Sequence, residues 1–202
     1  MIRSLTKTTL GAAIVMMAVA LVLSTACSRL LDTQLREAAC GGDIKKAEEF
    51  LKRGASVNAT DALGNSALTF VEACRRHDDL LESRAPLVEL LIAKGAEVNH
   101  QDRDGFTALM YAARNGDTEA VNALLRSGAS VNVADNTGET ALIKAAASSC
   151  TEETVRALLS AGADLSARDH KGRNALEAFR SSNACPENNV GELLNTETQK
   201  RK

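Results

Sequence analysis

The stretch DRDGFTALMYAARNGDTEAVNALLRSGASVN, Asp102 to Asn132, is one complete supersecondary unit. Asp102 and Gly105 stand at the first and fourth positions of a tight turn, where an Asp side chain bonds the backbone and Gly relieves crowding. Thr107 then opens a short helix whose Leu109, Ala112 and Ala113 share one face at helical spacing. Asn115-Gly116-Asp117 stops it: Gly116 suits a left-handed cap, and Asp117 is free to cap the next helix. Val121, Leu124 and Leu125 make the apolar stripe of that second helix, which Gly128 ends. Two helices this short do not bury their apolar faces alone, so the unit requires copies on both sides.

The copies are present. The turn signature D-x-x-G recurs as Asp61/Gly64, Asp102/Gly105, Asp135/Gly138 and Asp169/Gly172. The helix-closing Gly-Ala pair recurs at Gly54, Gly95, Gly128 and Gly162, with spacings of 41, 33 and 34 residues. G-F-T-A-L-M-Y-A-A begins at Gly105 and G-E-T-A-L-I-K-A-A at Gly138, while G-A-x-V-N closes the first three units at Asn58, Asn99 and Asn132. A turn and two helices repeating near 33 residues resemble the ankyrin repeat, over roughly Leu31 to Leu194. The resemblance implies an all-α solenoid of about five stacked helix-turn-helix repeats with short β-turn tips. The family's T-P-L-H core departs here: Ala67, Ala108, Ala141 and Ala175 replace Pro, and Thr69, Met110, Ile143 and Glu177 replace His. The second change removes a side-chain bond that the family often uses to tie neighbours together.

The first repeat lacks the D-x-x-G turn and reads as an amino-terminal cap, with Leu35, Ala38, Ala39, Ala47, Phe50 and Leu51 inward and a charged outer face. The second carries an insertion of about eight residues relative to the 33-residue unit, at Arg75–Arg84, and Pro86 follows in the first turn of its second helix. The last repeat closes on Val190, Leu193 and Leu194, and the polar residues 195–202 read as a disordered tail.

Ahead of the repeats, Arg3 and Lys7 precede an uncharged apolar run, Leu10 to Leu23, followed by the small residues Ser24-Thr25-Ala26 and then Cys27. The run has signal-peptide length and is short for a membrane span. A Cys directly after such a segment resembles the bacterial lipoprotein signal, with Ser24 where Leu is usual. Residues 1–26 thus read as a signal peptide or an N-terminal membrane anchor, and 27–194 as the repeat domain. Lipidation at Cys27, cleavage to a soluble form, or an uncleaved anchor all export the repeats to the periplasmic face of a bacterial membrane. Ser28 after the Cys points, by the same resemblance, to the outer membrane.

Four further cysteines, Cys40, Cys74, Cys150 and Cys185, allow three pairings. Aligned on the repeats, each falls at the end of a first helix or in the link after it, at one end of the stack. Neighbouring helices lie about 8–10 Å apart, so a small lean brings Cys40 to Cys74 and Cys150 to Cys185, while Cys40 is out of reach of Cys185. In an oxidising compartment these are the predicted disulfides, each stapling a terminal repeat to its neighbour.

The chain of 202 residues has a net charge of −2 and only 2% aromatic residues, which offers neither a broad basic surface nor a stacking platform for nucleic acid. His77, His100 and His170 lack metal-ligand spacing, and no phosphate-binding loop, dinucleotide fingerprint or nucleophile–base pair stands out, so no metal, cofactor or catalysis is expected. A stacked solenoid instead offers a slightly concave face of turn tips and inner helices. The family's contact positions fall on Leu63 and Asn65 in repeat two, on Arg103, Asp104, Phe106 and Arg114 in repeat three, on Asn136 and Glu139 in repeat four, and on His170, Lys171 and Arg173 in repeat five. Phe106, flanked by Arg103 and Arg114, has the composition of an interface anchor; the competing reading folds it back onto Leu63. Tyr111 reads as packed within the helix layers, and the Arg75–Arg84 insertion as a second contact region. The sequence therefore points to a monomeric, non-catalytic protein-binding module of the bacterial envelope, attached through its N-terminus. An inhibitor of the immunity type for an envelope-acting toxin and a self-associating structural protein are the alternatives.

Overall fold

The computed structural model describes residues 27–74, 84–149, 151–182 and 189–200. Helices pair in chain order: α1 (27–40) with α2 (Ile44–Lys52), α3 (Ala67–Ala73) with α4 (Ala85–Ala93), and α5 (Ala108–Asn115) with α6 (Thr118–Arg126). Next come α7 (Ala141–Lys144), running on into a π-helix (Ala145–Ser149), with α8 (Glu152–Ser160), and then α9 (Ala175–Ser181) with α10 (Val190–Lys200). First helices α3, α5, α7 and α9 pack side by side, and second helices α2, α4, α6, α8 and α10 form a parallel layer. Among the described residues there is no strand, only one isolated bridge between Ala134 and Thr140 at a turn tip.

The first helices α3, α5, α7 and α9 each start where a short oxygen-bearing side chain takes an orphan N–H. Ser66 accepts from Thr69, Thr107 from Met110 and Thr140 from Ile143, while Asn174 and Glu177 close a reciprocal capping box. Such caps stabilise a helix by about 0.5–2 kcal/mol each, which matters for elements of seven or eight residues. Gly116 ends α5 in the left-handed region, and Asp117 caps α6 by accepting from Ala120, as the central stretch predicts. Leu68, Leu109 and Leu142, one per repeat at the same place, are fully buried against Leu91, Leu124 and Leu158 of the second layer and the small Ala112, Ala113, Ala145 and Ala146.

Two ladders run across the repeats. At the tips, the Arg103 N–H donates to Leu63 O, Asn136 N–H to Asp104 O, and His170 N–H to Thr137 O, at 2.9–3.0 Å. This stacking needs Gly105, whose φ is +81°; a Cβ there would meet Asn136 N at 2.8 Å. At the other end of each unit, Asn58 donates to Gly95 O and accepts from Glu97 N–H. Asn99 does the same with Gly128 and Ser130, and Asn132 with Gly162 and Asp164. The tie expected to be missing with the family's His is thus supplied by the closing Asn, one side chain bonding two backbone groups of the next repeat.

A disulfide joins Cys40 and Cys74, with Cα atoms 5.6 Å apart, and staples repeat one to repeat two as anticipated. Cys150 and Cys185 lie outside the described residues, as do residues 1–26 and most of the insertion, 75–83. The expectation of a disordered tail from residue 195 is corrected: α10 continues to Lys200, with Thr198 bonding Leu194 O and Lys200 pairing with Glu197. Repeat four also departs from the regular unit. One residue more separates Ala141 from the cap Thr151 than separates Ala108 from the cap Asp117, and the π-helix absorbs it.

Candidate functional site

Every turn Asp does the same backbone work. One oxygen of Asp102 accepts the N–H groups of Asp104 and Phe106, one of Asp135 those of Thr137 and Glu139, and one of Asp169 those of Lys171 and Arg173. The other oxygen has a different partner in each repeat: the Asn65 amide on Asp61, the Tyr111 hydroxyl at 2.6 Å on Asp102, the Lys144 ammonium at 2.6 Å on Asp135, and the Arg173 guanidinium on Asp169. The resulting row of side chains runs along the turn tips and the first-helix layer.

In repeats three to five this row is continuous. Lys144, only 5% exposed, is bound by Asp135 and by Glu139 at 2.9 Å, and its Nζ stands 3.8 Å from the centre of the Phe106 ring. Glu139 continues to Arg173 at 3.5 Å, and Arg173 to Asp169 at 2.6 Å, giving one chain of ion pairs from Asp135 to Asp169. On the other side, Phe106 and Tyr111 are tilted at 36° with centroids 4.8 Å apart, and Arg114 stands 5.6 Å and 4.9 Å from those two ring centres. A buried ammonium is strongly disfavoured unless paired; here two carboxylates and a ring face surround it.

The titration properties follow from this packing. Burial pushes the Asp135 carboxyl up, but the Lys144 bond, the Thr137 hydroxyl and the backbone N–H groups outweigh it and hold the pKa below its ordinary 3.8. Asp169 is lowered likewise, with burial opposed by the Arg173 and Lys171 N–H groups and the Arg173 guanidinium. Burial first, and then the bond to Asp102, raise the Tyr111 phenol above its usual value, so it remains a donor.

The residues expected at contact positions separate into groups. Leu63 is exposed at 66%, and Arg103, Asp104, Asn136, His170 and Lys171 are exposed at the tips. Asn65 is corrected: it is 5% exposed and turned into the Asp61 turn, so it presents nothing outward. Glu139 and Arg173 are half-buried and committed to the ion-pair chain. Phe106 is half-buried, stacked with Tyr111 and capped by Lys144 and Arg114, rather than standing free. Tyr111 is half-buried, packs on the Phe106 ring and holds the turn Asp of its own repeat. Asp135 reads in the sequence as a turn residue only and its pairing with Lys144 is not foreseen, although Lys in a T-A-L-I-K run, at the position of Tyr111 and nine residues after the turn Asp, is a signal a repeat alignment contains. Of the insertion, Arg84 is described, buried, its backbone N–H donating to Asp117. Cys27 is an exposed free thiol at the start of α1. Among the described residues no group of three or more His, Cys, Asp or Glu is arranged to hold a metal ion.

Residues 80–169 match the family model of ankyrin repeats in three copies, and the two helical layers with turn tips make the protein an all-α ankyrin-repeat solenoid. The chain is 35% identical over 96 residues to the inactive serine/threonine-protein kinase TEX14 of Mus musculus, which is 48% of this chain and 6% of that protein. It is 34% identical over 107 residues to the ankyrin repeat domain-containing protein SAT10 of Stachybotrys chartarum, 51% of this chain and 5% of that protein. The chain therefore spans 5–6% of the length of these relatives. Ankyrin repeats generally mediate binding between proteins.

Proposed function

We propose that this protein is a non-catalytic module that binds a partner protein through the tip and first-helix face of repeats three to five, in the cell envelope of a bacterium. The observation that carries the binding face is the Phe106–Tyr111–Arg114–Lys144 cluster. The inter-repeat core is built from Ala and Leu, yet two of the chain's five aromatic residues stand on this face with two cations against them. Rigid aromatic and Arg side chains at the centre of a polar surface are the composition of interface hot spots. The envelope assignment is supported by the basic and apolar segment before Cys27 and by the Cys40–Cys74 disulfide, which suits an oxidising compartment.

Capture of the binding partner from an envelope extract on the full chain tests the face. The Phe106→Ala, Arg114→Ala double variant should lose it, and Arg126→Ala, on the second-helix layer, should keep it. Equal capture by all three would overturn the assignment. Fractionation with Cys27→Ser tests the anchor: release from the membrane fraction is expected, and recovery from the cytosol with a reduced Cys40–Cys74 pair would overturn the envelope location.

A further inference from the structure

Along the proposed face most charged groups are already answered within the molecule. Lys144 is spent on Asp135 and Glu139, and Arg173 on Glu139 and Asp169. Arg114 differs. Its guanidinium lies against the Tyr111 and Phe106 rings at 4.9 and 5.6 Å, and no carboxylate or carbonyl among the described residues takes its N–H groups. Ring faces attract a cation without occupying its hydrogen bonds, so the side chain is held while its donors stay open.

The surroundings leave room for an acceptor. The seventh residue after the helix cap is Arg114 in repeat three but Ala73 in repeat two and Ala147 in repeat four, both small and half-buried. At the tip of repeat three, the exposed Arg103 has the exposed Asp104 beside it, whereas Arg114 has no carboxylate within ion-pair distance among the described residues. What is open on the helix side of the face is therefore cationic, planar and half-desolvated.

We infer that Arg114, held by Phe106 and Tyr111, is the socket for a carboxylate presented by the partner protein. This rests on the reading that this face binds a protein. A guanidinium offers two parallel N–H bonds to a carboxylate, from an Asp or Glu side chain or from a chain terminus. The two rings supply the apolar wall that keeps water from competing for those bonds.

Random peptides displayed on phage and selected on the immobilised full chain test this. The selected peptides should be richer in Asp and Glu than the unselected library. Their synthetic forms should bind Arg114→Gln roughly 10- to 100-fold more weakly, the loss of one charged, bidentate contact. Arg114→Lys should fall between, and Arg126→Gln, whose guanidinium is paired with Glu89, should bind like the native chain. Replacing each peptide Asp or Glu by Asn or Gln measures the same contact without touching the protein, and amidating the peptide terminus separates a side-chain carboxylate from a terminal one. Binders with no acidic preference, or with equal affinity for the Gln variant, would overturn the socket and leave the protein-binding reading standing. Failure to select any peptide above the library background would count against both.

Discussion

Repeats three and four share a turn Asp, a Thr cap and an Ala-Leu helix start, but they complete the turn with opposite chemistry. In repeat three a neutral phenol, Tyr111, donates a hydrogen bond to Asp102 at 2.6 Å. In repeat four an ammonium, Lys144, occupies the corresponding place against Asp135 at the same distance, with Glu139 as a second carboxylate. The backbone requirement is identical, so the ninth residue after the Asp is free to vary in charge. A buried ammonium, however, needs more partners than a hydroxyl does. Repeat four supplies them from its own Glu139 and from the Phe106 ring of repeat three, and Glu139 in turn recruits Arg173 of repeat five. Choosing a cation at one position thereby couples three repeats through side chains, where the phenol involves one.

The largest expected effect comes from removing that cation. Lys144→Met leaves the buried Asp135 without its counter-charge and Glu139 with Arg173 alone, and urea unfolding should show a loss of about 3–5 kcal/mol. The same variant sharpens the contrast in acid. The Asp135 pKa is held below 3.8 in the folded chain, so its stabilisation is complete above that value and is lost as pH falls through the lower folded value. Melting temperatures followed downward from pH 5 should drop steeply for the native chain and less for Lys144→Met. Equal acid sensitivity would show that Lys144 does not set the Asp135 titration.

Tyr111→Phe should cost less, about 1.5–3 kcal/mol for one hydrogen bond to a carboxylate, with little dependence on salt. A loss as large as that of Lys144→Met would erase the distinction between the two repeats. The smallest effect is expected from deleting Ser148, which shortens repeat four to the length of repeat three. The π-helix should revert to α-helical hydrogen bonding, visible as slowed amide exchange over 145–149, with stability changed by about 1 kcal/mol or less. Unfolding of repeat four on that deletion would mean that the extra residue is required rather than merely accommodated.

Much of the fold was legible because it is local and repeated. The D-x-x-G turns, the Thr107 and Asp117 caps and the Leu68, Leu109 and Leu142 stripe each report on their own few residues, and repetition made them unmistakable. The Cys40–Cys74 staple followed from the repeat alignment. The face was legible only by position. Leu63, Arg103, His170 and Lys171 are exposed as the family pattern implies, but Asn65 occupies a contact position and spends its amide on its own turn. Asn65 stands four residues after its turn Asp, at the place of Phe106, Glu139 and Arg173 in the later repeats, and its residue type alone does not say that the amide folds back onto Asp61.

By itself the sequence determined the repeating unit, its caps and its core, since those depend on backbone conformation and on the spacing of apolar residues along one chain. Tertiary structure decided which charges are spent and which remain open. Lys144 meets the Phe106 ring across a repeat boundary, Glu139 reaches Arg173 across the next, and Arg114 has only rings beside it. The first two outcomes depend on distances between side chains more than thirty residues apart in the chain, which only the stacking of one repeat on another sets, and the third on side-chain placement within one repeat.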